Sequence, residues 1–192
     1  MITQIPYFYI SGSGAAAPPS RLYIRCNPGK IEALTMLSDT ARDGYFMSLA
    51  LAEARRAAQG GEVPVGAVVV AGEVILSRGR NAVIARNDPT AHAEVVALRR
   101  ACRKRANYRL SDCELFVTLE PCALCLGAIV QARIRRLVFG APDPKSGAVS
   151  SVMTFPFGKL NHHPRVAAGI MAEECGAVLK DFFRAQRVKD KI

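Results

Sequence analysis

From residue 43 onward, segments with helical hydrophobic spacing alternate with segments of extended character, and that alternation leaves few folds open. Tyr45, Phe46, Leu49, Ala50 and Ala57 recur at helical spacing with Glu53, Arg55 and Arg56 opposite them, and Gly60-Gly61 ends the segment. Residues 63–71 read as a buried strand, which Gly72 turns into a second strand at 74–77. Helices at 91–103 and 123–131 then alternate with strands at 115–119 and 137–140. Residues 141–165 are rich in proline and glycine, and a last helix runs from about 172 to 187. This order predicts an α/β fold, a three-layer α/β/α sandwich, and argues against a helical bundle or an all-β domain.

The 192 residues fit one domain with an extension. Residues 1–38 differ in composition: Ser11 to Ser20 is a low-complexity stretch, and Asn27-Pro28-Gly29 signals a turn. Three readings of this segment stay open: a mobile extension, a targeting segment, or a misassigned start with Met36 or Met47 as initiator. The domain proper is expected over 39–192. No apolar run reaches the roughly 18 residues of a membrane span. Formal net charge is +10, and residues 1–39 hold three cations against two anions, so nearly all the excess belongs to the folded body. A basic body attracts a polyanion such as nucleic acid. Runs at Arg99, Arg100, Arg103, Lys104, Arg105 and at Arg133, Arg135, Arg136 read equally well as solvated faces and as binding sites. Six cysteines, four of them scattered singly, suit a reducing cytoplasm with one metal-binding C-x-x-C pair better than a disulfide framework.

That pair, Cys122 and Cys125, follows His92-Ala93-Glu94 by about thirty residues. One imidazole and two thiolates are a natural three-ligand set for Zn²⁺, with the fourth tetrahedral position left for water, as in catalytic sites. Cys122 and Cys125 are three apart and can share one face of a first helical turn that Pro121 opens. His92 and Glu94 are about 200° apart around a helix, so both can border the site only at the helix's N-terminal end. Two helix N-termini would then face the metal and favour thiolates. Glu94 is the candidate catalytic acid–base, able to move protons between water, a ring nitrogen and departing ammonia. A structural zinc would need a fourth protein ligand, for which only His162 and His163 remain among the histidines.

The combination of H-x-E with P-C-x-x-C resembles the zinc nucleobase-deaminase pattern. Residues 62–70, Asn81, 88–94, 107–110, 117–122 and 181–184 are similar to the tRNA-specific adenosine deaminases, over about residues 40–187. The resemblance implies a cytidine deaminase-like sandwich with a mixed five-stranded sheet. It also implies one zinc per subunit on His92, Cys122 and Cys125, Glu94 as proton shuttle, and a homodimer. The implied reaction converts adenosine to inosine at the wobble position of tRNA, an arginine tRNA in the family. By the same resemblance, Asn81 contacts the flipped base or its ribose and Asp143 lies beside a neighbouring nucleotide, while Phe182, Phe183 and Arg184 help grip the anticodon stem-loop. Pro142 departs from the pattern, which has arginine there. On the residues alone, Phe182-Phe183 weighs towards core packing. Rival readings are a zinc deaminase of free cytosine, guanine or cytidine, a zinc-stabilised RNA-binding subunit without activity, and a thiol redox protein.

Overall fold

The computed structural model describes residues 39–189, so expectations for residues 1–38 lie outside the described residues. In chain order the elements are α1 (Asp39–Gln59), β1 (Gly66–Ala71), β2 (Val74–Arg80), α2 (Val83–Arg86), α3 (Ala93–Arg105), β3 (Cys113–Leu119), α4 (Ala123–Gln131), β4 (Arg136–Ala141), a 3₁₀ turn (Phe157–Lys159), β5 (Arg165–Ala168) and α5 (Ala172–Lys189). The strands form one sheet in the order β2-β1-β3-β4-β5. β1 pairs antiparallel with β2 and β3, while β3–β4 and β4–β5 are parallel. This is the expected mixed five-stranded sandwich.

Strand side chains alternate between two cores. Ala67, Val69, Leu115, Val117, Leu137 and Phe139 face α3 and α4, where Ala97, Leu98, Leu126 and Ile129 meet them. Val68, Val70, Phe116 and Val138 face the other way, onto Phe46, Met47 and Ala50 of α1 and Cys175 of α5. Unbroken burial of Val68 to Val70 explains why β1 reads as a continuous apolar run instead of an alternating one.

Two close approaches set the helix positions. Gly66 lies under α1: an ideal Cβ there would come within 2.5 Å of the Ala54 nitrogen. Gly79 lies under α3, where a Cβ would come within 2.6 Å of the Ala97 nitrogen. Ser77 adds a buried hydrogen bond from its hydroxyl to the Ala97 carbonyl at 2.7 Å. Thus α3 is seated on β2 by backbone contact.

The sheet has two chemically distinct ends. Its register pairs Gly66 with Arg80 and Ala67 with Val117, so the end of β2 and the carboxyl ends of β3 and β4 lie together. At the opposite end Glu114 receives hydrogen bonds from Arg42, Arg135 and Arg136, Arg136 also pairs with Asp43, and Arg42 with Glu73. Removing one member of such a partly buried network strands the others, so it fixes α1 against the β3–β4 edge.

Candidate active site

The site forms at the carboxyl ends of the parallel strands, the usual ligand-binding edge of an open α/β sheet. β3 leads through Glu120 and Pro121 to Cys122, the N-cap of α4, in extended conformation (φ −76°, ψ 173°). β2 leads through α2 and the turn at 87–91 to His92, the N-cap of α3, also extended (φ −68°, ψ 152°). That connection is held at three points. The Asp88 carboxylate accepts from the Thr90 N–H and hydroxyl, the Ala82 N–H donates to the Ala91 carbonyl at 3.0 Å, and the Ala85 N–H donates to Glu62.

His92 Nδ1 lies 3.6 Å from Cys122 Sγ and 3.4 Å from Cys125 Sγ, and all three candidate ligand atoms lie within 4.8 Å of one another. Tetrahedral Zn–N and Zn–S bonds of ordinary length put nitrogen and sulfur about 3.6 Å apart, so both nitrogen–sulfur distances suit a shared metal ion. Among the described residues no other histidine, cysteine or acid joins this group. His162 instead contacts the Ile134 carbonyl through Nε2 at 2.9 Å, and His163 is exposed. The donor set is therefore three protein ligands, the number that leaves a tetrahedral position open.

The electrostatics suit a cation. A hydrogen bond from Cys125, opposed by burial and aided by one with His92, brings the Cys122 thiol down to about 4. The same hydrogen bond and burial push the Cys125 thiol up. His92 is raised, first by its bond to Cys122. Glu94 sits in the first turn of α3, 4 % exposed, with its carboxyl against the Cys125 thiol; burial pushes its pKa up, and the Cys122 charge adds to that. A carboxyl so placed is poised to take and return a proton instead of holding a permanent charge.

The remaining expected site residues fall into two groups. Asn81 lies at the start of α3, next to His92 in the fold: its Oδ1 accepts the Ala93 N–H at 2.9 Å, capping α3 in place of the His92 side chain. Local spacing carries no signal for this capping role, because the cap lies twelve residues from Ala93. Asp143 lies in the loop after β4, where its carboxylate accepts from the backbone of Lys145 and Ser146 and from the Ser146 hydroxyl. Phe183 reaches this loop from α5: it is 43 % exposed, and Lys145 Nζ stands 5.8 Å from its ring centre. Phe182 is half-buried beside it, and neither ring joins the two buried cores, so the core reading of the aromatic pair does not hold. Arg184 is exposed and pairs with Asp181 at 2.7 Å. Much of the cationic excess is committed internally. Arg99 bonds Asp88, Arg100 the Arg78 carbonyl, Arg105 Asp112, and Arg135 and Arg136 the Glu114 network.

Residues 42–187 match the family model of the MafB19-like deaminases. The tRNA-specific adenosine deaminase of Haemophilus influenzae is 47% identical over 152 residues, covering 78% of this chain and 88% of that protein. This chain belongs to the tRNA-specific adenosine deaminase family. The Agrobacterium fabrum member is 46% identical over 147 residues, covering 76% of this chain and 97% of its own. A solved structure from work on A-to-I editing by tRNA:A34 deaminases at the wobble position of transfer RNA is 46% identical with a TM-score of 0.68. It covers 70% of this chain and 99% of its own. The family match begins inside α1 and ends inside α5, so it takes in both site helices and the loop bearing Asp143.

Proposed function

We propose that this chain is a hydrolytic deaminase that converts adenosine to inosine at the wobble position of tRNA, an arginine tRNA by family expectation. The observation that carries the reading is the convergence of His92, Cys122 and Cys125 at two helix N-termini, with the buried carboxyl of Glu94 beside them. His92, Cys122 and Cys125 would hold one zinc per subunit. When bound, zinc lowers the pKa of a coordinated water towards about 7 and so supplies a nucleophile at neutral pH. Glu94 would take the proton released as the water oxygen bonds to C6 of adenine and give it to N1, then take the proton of the new C6 hydroxyl and give it to the amine, so that the C6–N bond breaks, ammonia leaves and the C6 carbonyl forms. The buried surroundings of Glu94 favour its neutral form between these transfers.

Asn81 uses its Oδ1 on Ala93, which leaves its amide N–H₂ to donate to the base or ribose. Asp143, Phe183 and Arg184 would line the approach of the anticodon stem-loop, whose unpaired bases make extrusion of one inexpensive. The catalytic domain is residues 39–192. The active form is a homodimer, and the apolar α3–α4 face carrying Val95, Leu98, Tyr108 and Leu124 is a surface a second subunit could cover. Among the described residues no helix is long and apolar enough to cross a membrane. The five described cysteines are free, in keeping with the reducing cytoplasm where tRNA is found.

The test is incubation of purified protein with total tRNA, followed by sequencing for inosine, beside parallel reactions with free cytosine, guanine and cytidine. Inosine confined to a wobble position supports the reading. Ammonia from a free base, with tRNA untouched, overturns it.

A further inference from the structure

Two residues before Cys122, directly after β3, stands a residue with no assigned part. Glu120 is 2 % exposed, a buried carboxylate with no cation paired to it among the described residues. Its compensation is a ring of donors from one loop. Oε1 accepts the N–H groups of Val149 at 3.0 Å, Ser150 at 2.8 Å and Ser151 at 3.1 Å. Oε2 accepts the Asp143 N–H at 3.1 Å and the Ser151 hydroxyl. One side chain thus binds both ends of the loop 142–151 and draws them together.

The backbone around it repeats the link. The Glu120 N–H donates to the Ala141 carbonyl at 2.9 Å, and the Ala148 N–H donates to the Pro121 carbonyl at 2.9 Å. The loop also carries a glycine fitted between the carboxylate and the start of the loop: a Cβ at Gly147 would stand 2.5 Å from Glu120 Oε2 and 2.6 Å from the Asp143 carbonyl oxygen. The two residues after Glu120 are Pro121 and Cys122, so the same short segment anchors a metal-ligand candidate and the loop that presents Asp143, Lys145 and the contact with Phe183.

We propose that Glu120 is a positioning residue that locks the loop 142–151 against the metal-ligand helix, so that Asp143 and its neighbours meet the RNA in one fixed arrangement. It touches no substrate and acts through the loop. The inference rests on the tRNA reading for its consequence in activity, but its structural half stands without it. Glutamine at this position keeps one acceptor oxygen and turns an amide N–H₂ towards N–H donors, so part of the ring must open. Alanine at Gly147 pushes against the same carboxylate from the loop side.

The experiment measures amide hydrogen exchange in the free protein, and kinetics on an anticodon stem-loop RNA, for Glu120→Gln, Gly147→Ala, Asp143→Ala and the double variant Glu120→Gln/Asp143→Ala. Thermal unfolding and metal content are read for each. Both Glu120→Gln and Gly147→Ala should lose protection at Asp143, Val149, Ser150 and Ser151, with the metal retained. KM should rise about tenfold, more than kcat falls, and the double variant should be no worse than Asp143→Ala alone. Unchanged protection in Glu120→Gln overturns the proposal whether or not the protein deaminates RNA. A loss confined to kcat, or additive losses in the double variant, overturns the positioning role. A wild type that makes no inosine while exchange changes as expected counts against the tRNA reading and leaves the loop lock standing.

Discussion

Gly79→Ala places a methyl group where β2 meets α3. The Cβ would lie 2.6 Å from the Ala97 nitrogen and closer still to the Ala93 carbonyl, so reaching van der Waals separation moves the helix by roughly 1 Å. Overpacking of this kind costs about 1–3 kcal/mol, or roughly 2–12 °C in Tm for a chain of this size. The helix that moves carries His92 at its cap and Glu94 in its first turn, whereas Cys122 and Cys125 sit on α4 and stay. A displacement of about 1 Å at a reacting centre costs about 10²-fold in rate. Gly66→Ala is the matched control: it creates a contact at least as tight, 2.5 Å from the Ala54 nitrogen, but pushes α1 on the opposite face, a helix that carries no candidate metal ligand or proton carrier. Thermal unfolding and kcat/KM per folded molecule separate the two effects. Gly79→Ala should lose activity well beyond its loss of stability, and Gly66→Ala should lose stability with its activity per folded molecule kept. Equal losses of activity in the two variants, or full activity in Gly79→Ala, would refute the argument that the seating of α3 sets the site.

Asn81→Ala removes the cap on Ala93 and should cost about 1 kcal/mol by denaturant unfolding. Asn81→Asp keeps the acceptor and should stay near wild-type stability, yet lose activity on RNA as much as the alanine variant, because it cannot donate; an active aspartate variant would end the donor role. After treatment with a chelator, iodoacetamide at pH 6 should alkylate Cys122 first, since its thiol is brought down to about 4 while that of Cys125 is pushed up. Peptide mass mapping reads this, and preferential labelling of Cys125 contradicts it. Burial pushes Glu114 up, but hydrogen bonds from Arg136 and Arg42 outweigh it and hold the carboxyl below its ordinary 4.5. Its contribution is therefore complete above that pH and lost as pH falls through the lower folded value. Glu114→Gln should flatten the acid limb of the stability curve, and an unaltered limb would show that other carboxylates control it.

The sequence announces what local spacing and chemistry encode. The period of α1, the apolar run of β1 and the Gly72 turn are legible because each is set by neighbours within a few residues. The His92, Glu94, Cys122 and Cys125 set is legible because few reactions use those residue types in that order. Hidden features depend on distant partners. β5 is four residues, mostly exposed and bounded by Pro164 and Gly169, so it has neither the length nor the burial pattern of a strand, and parallel pairing with β4 creates it. The Asp43–Arg136 pair joins residues 93 apart, and the Arg42–Glu114 pair joins residues 72 apart. Glu120 had a faint signal, an acid between an apolar strand and Pro121, but the donors that neutralise it come from a loop whose composition suggests only irregularity. The basic runs leave a solvated face and a binding site equally open until their internal partners are seen.

In the proposed reaction water replaces the exocyclic amine of a tRNA adenosine, with Glu94 carrying the protons. Reaction of the zinc-loaded protein with an anticodon stem-loop in ¹⁸O-labelled water, read by mass spectrometry of the released nucleosides, tests it most directly. Wild type should yield inosine with one solvent-derived ¹⁸O and one ammonia per inosine, and Glu94→Gln should yield almost none while retaining its zinc and its fold. Unlabelled inosine, no inosine from wild type, or undiminished turnover in Glu94→Gln would contradict it.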